Sequence, residues 1–68
     1  MTEDEYAEME PLYHEYKLAI PTWPEISVVK VQRAYQFGYN RAARLLETLA
    51  EHGHLSRDRM TGKYSRPS

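Results

Sequence analysis

The chain has 68 residues, no cysteine and a net charge of −1. A domain of this length buries only about 60% of its unfolded surface, which excludes a motor or a two-domain active site, and the lack of thiols excludes disulfides and thiolate zinc sites. The small net charge hides an asymmetry: residues 1–26 carry seven carboxylates against Lys17, net −6, and residues 27–68 carry eight cations against Glu47, Glu51 and Asp58, net +5.

The start of the chain is acidic, with no basic segment and no apolar run of the kind a signal peptide needs. No stretch approaches the roughly 20 apolar residues that span a bilayer, so a cytoplasmic protein without a membrane partner is expected. Residues 1–10 are expected to form a flexible or only partly helical acidic segment. The folded domain is placed at 11–65, with a short tail at 66–68.

Pro11 suits the first turn of a helix, where its missing N–H costs nothing. Leu12, Tyr13, Tyr16, Ala19 and Ile20 then recur at helical spacing, which predicts a first helix over 11–20. Pro21 and Pro24 end it, and Glu25–Ile26 reads as a short extended piece. Ser27 is a good N-cap for a second helix over 28–35. Its β-branched valines favour strand, but the interleaved Lys30, Gln32, Arg33 and Ala34 favour helix. Gly38 is assigned the turn that follows.

A third helix is predicted over 40–52, with Gly53 as its stop. At about 100° per residue, Ala42, Leu45, Leu46 and Leu49 cluster on one side. Asn40, Arg44, Glu47 and Glu51 form a narrow polar stripe on the other. Asn, Arg and Glu are side chains that read base edges in a DNA major groove. His54–Ser56 and Lys63–Ser65 are predicted to pair as a hairpin around a polar loop containing Thr61–Gly62. The fold class is therefore mainly α with a small β-hairpin, a winged helix-turn-helix. Its core should hold Ile26, Val28, Val31, Tyr35, Ala42, Leu45, Leu46, Leu49 and Leu55, with Leu12 and Tyr16 from the first helix.

From Ile26 to Ser56 the chain reads ISVVKVQRAYQFGYNRAARLLETLAEHGHLS. Its core, I-S-x-x-x-x-Q-R and then G-Y-N-R-A-A-R, resembles the C-terminal gamma domain of the FtsK/SpoIIIE DNA translocases. Pro11-Leu12-Tyr13 looks like the start of that family's first helix. Met60-Thr61-Gly62-Lys63 falls where the family has its wing tip. The resemblance implies a winged helix that binds a short G-rich site in double-stranded DNA. The family's base-contacting Asn, Arg and Glu match Asn40, Arg44 and Glu47. Arg44 would fork onto guanine, and Glu47 would accept from a cytosine amine on the opposite strand.

Lys30, Arg33, Tyr39, Arg41, Arg57, Arg59 and Lys63 are the candidates for phosphate contacts. One small domain binds weakly, so several copies on the DNA, as a homo-oligomer or side by side, are expected. The chain carries no P-loop, so the resemblance points to a small nucleoid-associated regulator, as in a phage or other mobile element, and not to a translocase. The alternative class is a protein-interaction module. By resemblance, its partner would be a tyrosine recombinase of the Xer type or a host translocase, with the acidic residues 1–10 favouring such a contact.

The other constellations read blandly. His52 and His54 flank Gly53, and their place at a helix end explains them better than a metal site does. Tyr13, Tyr16 and Tyr35 lie on apolar faces and are read as core, not as base-stacking platforms. Tyr39 is open between inward packing and a phosphate contact. Tyr6 is left unassigned, and Trp23 is read as a cap on the small core. No nucleophile–base set exists, so no enzyme, cofactor or metal is expected.

Overall fold

The computed structural model describes residues 2–67. The outer ends of the expected acidic segment and tail, Met1 and Ser68, lie outside them. Four α-helices and one hairpin follow in order: α1 (Glu3–Met9), α2 (Tyr13–Ala19), a 3₁₀ turn (Ile20–Thr22), α3 (Val28–Tyr35), α4 (Tyr39–Glu51), β1 (Ser56–Arg57) and β2 (Tyr64–Ser65).

Helices α3 and α4 form as the periodicity predicts. The Ser27 hydroxyl accepts from Lys30 N at 3.2 Å and caps α3. On α4, Ala42, Leu45, Leu46 and Leu49 are wholly buried. They meet Val31 of α3, Ile26, and Tyr13, Tyr16 and Ile20 of the α2 segment in one core. Leu55 and Tyr64 close it from the hairpin. In the antiparallel hairpin Ser56 pairs with Ser65 and Arg57 with Tyr64. Ile26 adds a single bridge to Tyr64, whose N–H donates to Ile26 O at 3.2 Å. The extended piece expected at Glu25–Ile26 is thus a third, one-residue rung, and the architecture is a winged helix.

The structure departs from the sequence reading in five places. Residues 3–9 are not a loose tail but helix α1, capped by Thr2 Oγ1, which accepts from Glu5 N at 3.1 Å. Burial of Tyr6 gives that helix its packing face. Leu12 is 49% exposed and not in the core, because α2 begins one residue later and Tyr13 takes the inward position. Val28 and Tyr35 are half-buried, packed against the core from its edge. Pro21 does not end the helical path but sits in the 3₁₀ turn, whose tighter winding carries the chain on to Trp23.

The fifth departure concerns the turn between α3 and α4. Gly38 has an extended backbone, φ −70°, and serves as the N-cap of α4. The left-handed residue is Gln36, at φ 57°. Two residues that the periodic pattern left out, Phe37 and Tyr64, are buried. Phe37 lies 5.7 Å from the Tyr16 ring at 79°, the edge-to-face arrangement that aromatic quadrupoles favour. No helix among the described residues is long and apolar enough to cross a membrane.

Candidate nucleic-acid interface

Helix α4 carries the candidate readers because its two faces differ. The apolar face is spent on the core, and the burial of Leu45, Leu46 and Leu49 fixes the rotation of the helix about its axis. Asn40, Arg44 and Glu47 are left exposed on the far side, with Tyr39 64% exposed at the helix start. Thr48 is buried and donates its hydroxyl to Arg44 O at 2.7 Å, so it belongs to the packed side.

Asn40, Arg41 and Arg44 line one open cleft, and its opposite wall is Tyr6, Met9 and Glu10 at the end of α1. Glu3 of α1 and Glu10, its C-cap, tie the helix along α4. Near the start of α4, Glu10, only 5% exposed, accepts from Arg41 through both carboxylate oxygens, with Arg41 Nε to Glu10 Oε2 at 2.9 Å. Past the end of α4, His54 Nε2 contacts Glu3, which also accepts from the Tyr13 hydroxyl at 3.0 Å. The His54 contact holds the Glu3 carboxyl below the usual carboxylate range. The guanidinium of Arg41 also lies over the Phe37 ring, 3.9 Å from its centroid. Its hydrogen bond to Glu10 raises its already high basicity.

The wing is built by Asp58. Its Oδ1 accepts from Met60 N at 2.8 Å, and its own N–H donates to Lys63 O at 2.8 Å. Gly62 closes the loop at φ 71°, a left-handed conformation suited to glycine. Arg59, Met60 and Lys63 are exposed there, and Met60 is 95% exposed. Arg57 lies over the Tyr64 ring at 6.0 Å. Burial pushes the Tyr64 phenol up, Arg57 opposes that, and Glu47 adds to it, which places the middle of α4 within electrostatic reach of the wing.

A family model described as the FtsK gamma domain matches residues 7–65. The chain belongs to the FtsK gamma domain family. That family is one of DNA-interacting domains, and DNA is the partner it supplies. The match begins within α1, four residues ahead of Pro11, where the sequence reading set the start of the domain. No curated protein and no solved structure matches the chain.

Set in the gamma domain, the candidate residues line several hollows. Asn40, Arg41 and Arg44 share the α1–α4 cleft. Arg57 and Arg59 share a hollow with Ala50, Leu55 and Ser56. Lys30 lies in a separate shallow groove with Trp23, Pro24, Glu25 and Ala34. Arg33 is exposed on α3. Among the described residues no group of three His, Cys, Asp or Glu side chains is placed to hold a metal. His54 closes the end of α4 by donating its N–H to Leu49 O at 2.8 Å, and its ring anchors Glu3.

Sequence reasoning missed Glu10, Tyr6 and Met9 as parts of this site. A local signal for α1 was present: Thr2 and Glu5 have the spacing of a capping box ahead of Tyr6. Nothing local could have paired Glu10 with Arg41, because 31 residues separate them and the contact exists only once α1 lies on α4.

Proposed function

We propose that this gamma domain binds double-stranded DNA in a sequence-specific manner, with α4 in the major groove. The observation that carries the reading is the exposed stripe of Asn40, Arg44 and Glu47 opposite a wholly buried face of the same helix. Arg44 supplies a fork for guanine O6 and N7, Glu47 an acceptor for a cytosine amine, and Asn40 an amide for adenine or a neighbouring guanine. That set is compatible with the G-rich site that the family resemblance implies. Arg57, Arg59 and Lys63 on the wing, Tyr39 at the start of α4, and Lys30 and Arg33 on α3 are the phosphate contacts. Those contacts set orientation and most of the affinity but carry no sequence information.

The first turn of α4 contains no carboxylate, so its free N–H groups and dipole favour a nearby phosphate. Several copies side by side on the DNA would raise the affinity of so small a module.

Selection of bound duplexes from a random pool tests the reading. A G-rich consensus that Arg44→Ala blurs at one guanine is expected. Recovery of no consensus, with equal binding to all duplexes, would reduce the domain to a non-specific polyanion binder.

A further inference from the structure

We propose that Glu10 is a positioning residue that withholds Arg41 from the DNA phosphates and so lowers the affinity for every duplex. The inference rests on the DNA-binding reading above and concerns how tightly the same surface holds the DNA backbone.

Arg41 occupies the third position of α4, between the readers Asn40 and Arg44, and is the cation closest to the helix start. An arginine there would ordinarily take a phosphate. Here it is already engaged. Its Nε and Nη2 donate to the two oxygens of Glu10, and its Cζ lies 3.9 Å from the Phe37 ring centroid. Glu10 is itself 5% exposed, seated between α1 and α4, so it cannot swing away to release its partner without disturbing α1. The pair carries no net charge. A cation free to touch any phosphate strengthens binding to every sequence equally, because backbone contacts carry no base information. Neutralising that cation lowers the affinity for all DNA alike and leaves unchanged the difference between sequences that Asn40, Arg44 and Glu47 set. The Glu10 carboxylate at the end of α1 therefore sets the overall affinity and its salt dependence and leaves the ranking of sequences to the readers. It is a positioning residue, because it acts through Arg41 and touches no base.

The dependence of the binding constant on salt counts phosphate contacts, at a slope of about 0.9 per phosphate on B-form DNA. The experiment measures that slope for wild type, Glu10→Gln, Arg41→Gln, the double variant, and Glu8→Gln. Glu8 is an exposed carboxylate on the same helix, so its variant controls for charge removal alone. Both the selected site and an unrelated duplex are titrated, and circular dichroism confirms that each variant is folded.

Glu10→Gln is expected to steepen the slope by about 0.9 and to bind the selected site and the unrelated duplex more tightly by the same several-fold factor, leaving their ratio unchanged. The double variant should return to the wild-type slope, because it differs from Glu10→Gln only in Arg41. Arg41→Gln alone should leave the slope unchanged, and Glu8→Gln should change it far less than Glu10→Gln does. A slope that falls by about 0.9 in Arg41→Gln would overturn the proposal, since Arg41 would then already hold a phosphate. An unchanged slope in Glu10→Gln, or an equal rise in Glu8→Gln, would overturn it as well. In each of those cases the wild type still selects its site and the DNA-binding reading survives. Failure of the wild type to bind any duplex at low salt would instead remove that reading, and this one with it.

Discussion

Tyr6 of α1 and Tyr13 of α2 meet edge to face, with ring centroids 5.1 Å apart and planes at 79°. The contact joins the acidic start of the chain to the helix that follows and buries both rings. Tyr6→Ala should therefore cost roughly 3–5 kcal/mol, as for other buried aromatics. Denaturant unfolding checks this. A loss within about 0.5 kcal/mol, the range of a surface position, would mean that α1 is not part of the cooperative unit.

Helices α3 and α4 were legible in the sequence because their apolar residues repeat at helical spacing and their ends carry a serine cap and a glycine stop. The stripe of Asn40, Arg44 and Glu47 was legible for the same reason. It needs only the rotation that Leu45, Leu46 and Leu49 fix. Helix α1 was obscured by its four acidic residues, Glu3, Asp4, Glu5 and Glu8, which read as a solvated run although Thr2 and Glu5 supply a cap. Phe37 and Tyr64 escaped because each is an isolated apolar residue outside a periodic segment. The hold of Glu10 on Arg41 is tertiary, and no local pattern encodes it.

Burial pushes the phenols of Tyr6, Tyr13, Tyr16, Tyr35 and Tyr64 above their ordinary value, Tyr6 to about 12. A group whose folded value lies above its unfolded one stabilises the fold fully below the unfolded value and loses that contribution as pH rises towards the folded one. The unfolded value is 10.0, so stability should hold up to about pH 10 and fall between there and about pH 12. Urea unfolding followed across that range checks the sign. Tyr6→Phe should make the fall shallower, and an unchanged profile would show that the Tyr6 phenol titrates alike in the folded and unfolded chain.

The backbone at Gln36, φ 57°, places a non-glycine residue in the left-handed region. That conformation costs an L-residue about 1–2 kcal/mol. Glycine there would relieve the strain and give back roughly 0.5–1 kcal/mol in chain entropy. Gln36→Gly should therefore raise stability by up to about 1 kcal/mol. Gly38 makes the opposite case, since its backbone is ordinary and a Cβ would meet nothing within 4 Å. Gly38→Ser should add a few tenths of a kcal/mol by capping α4. Thermal unfolding measures both. A folded Gly38→Ser protein with weakened DNA binding would assign that glycine to a close approach by DNA.

The wing should supply affinity without much selectivity. Asp58 shapes its loop, and Arg59 and Lys63 project from it into solvent. Either changed to alanine should weaken all duplexes alike and lower the salt slope by about 1. Titrations against the selected site and an unrelated duplex test this. A changed base preference would make the wing a reader.

The readers themselves give the sharpest expectation. Arg44→Ala should cost roughly 1–3 kcal/mol on the selected site and relax the choice at one guanine. Glu47→Ala separates two explanations of the same residue. If Glu47 accepts from a cytosine amine, its loss strengthens binding to unrelated DNA, because a carboxylate repels phosphate, yet weakens the true site or blurs one C·G position. If Glu47 only balances Arg44 on the helix surface, the pair is worth about 0.2–0.5 kcal/mol and the ranking of sequences does not move. The exposed setting of Asn40, Arg44 and Glu47 on a helix locked by its buried face favours the first. Measuring both variants on a panel of single-base-substituted duplexes decides between them, and an unchanged ranking in both would remove α4 as the reader.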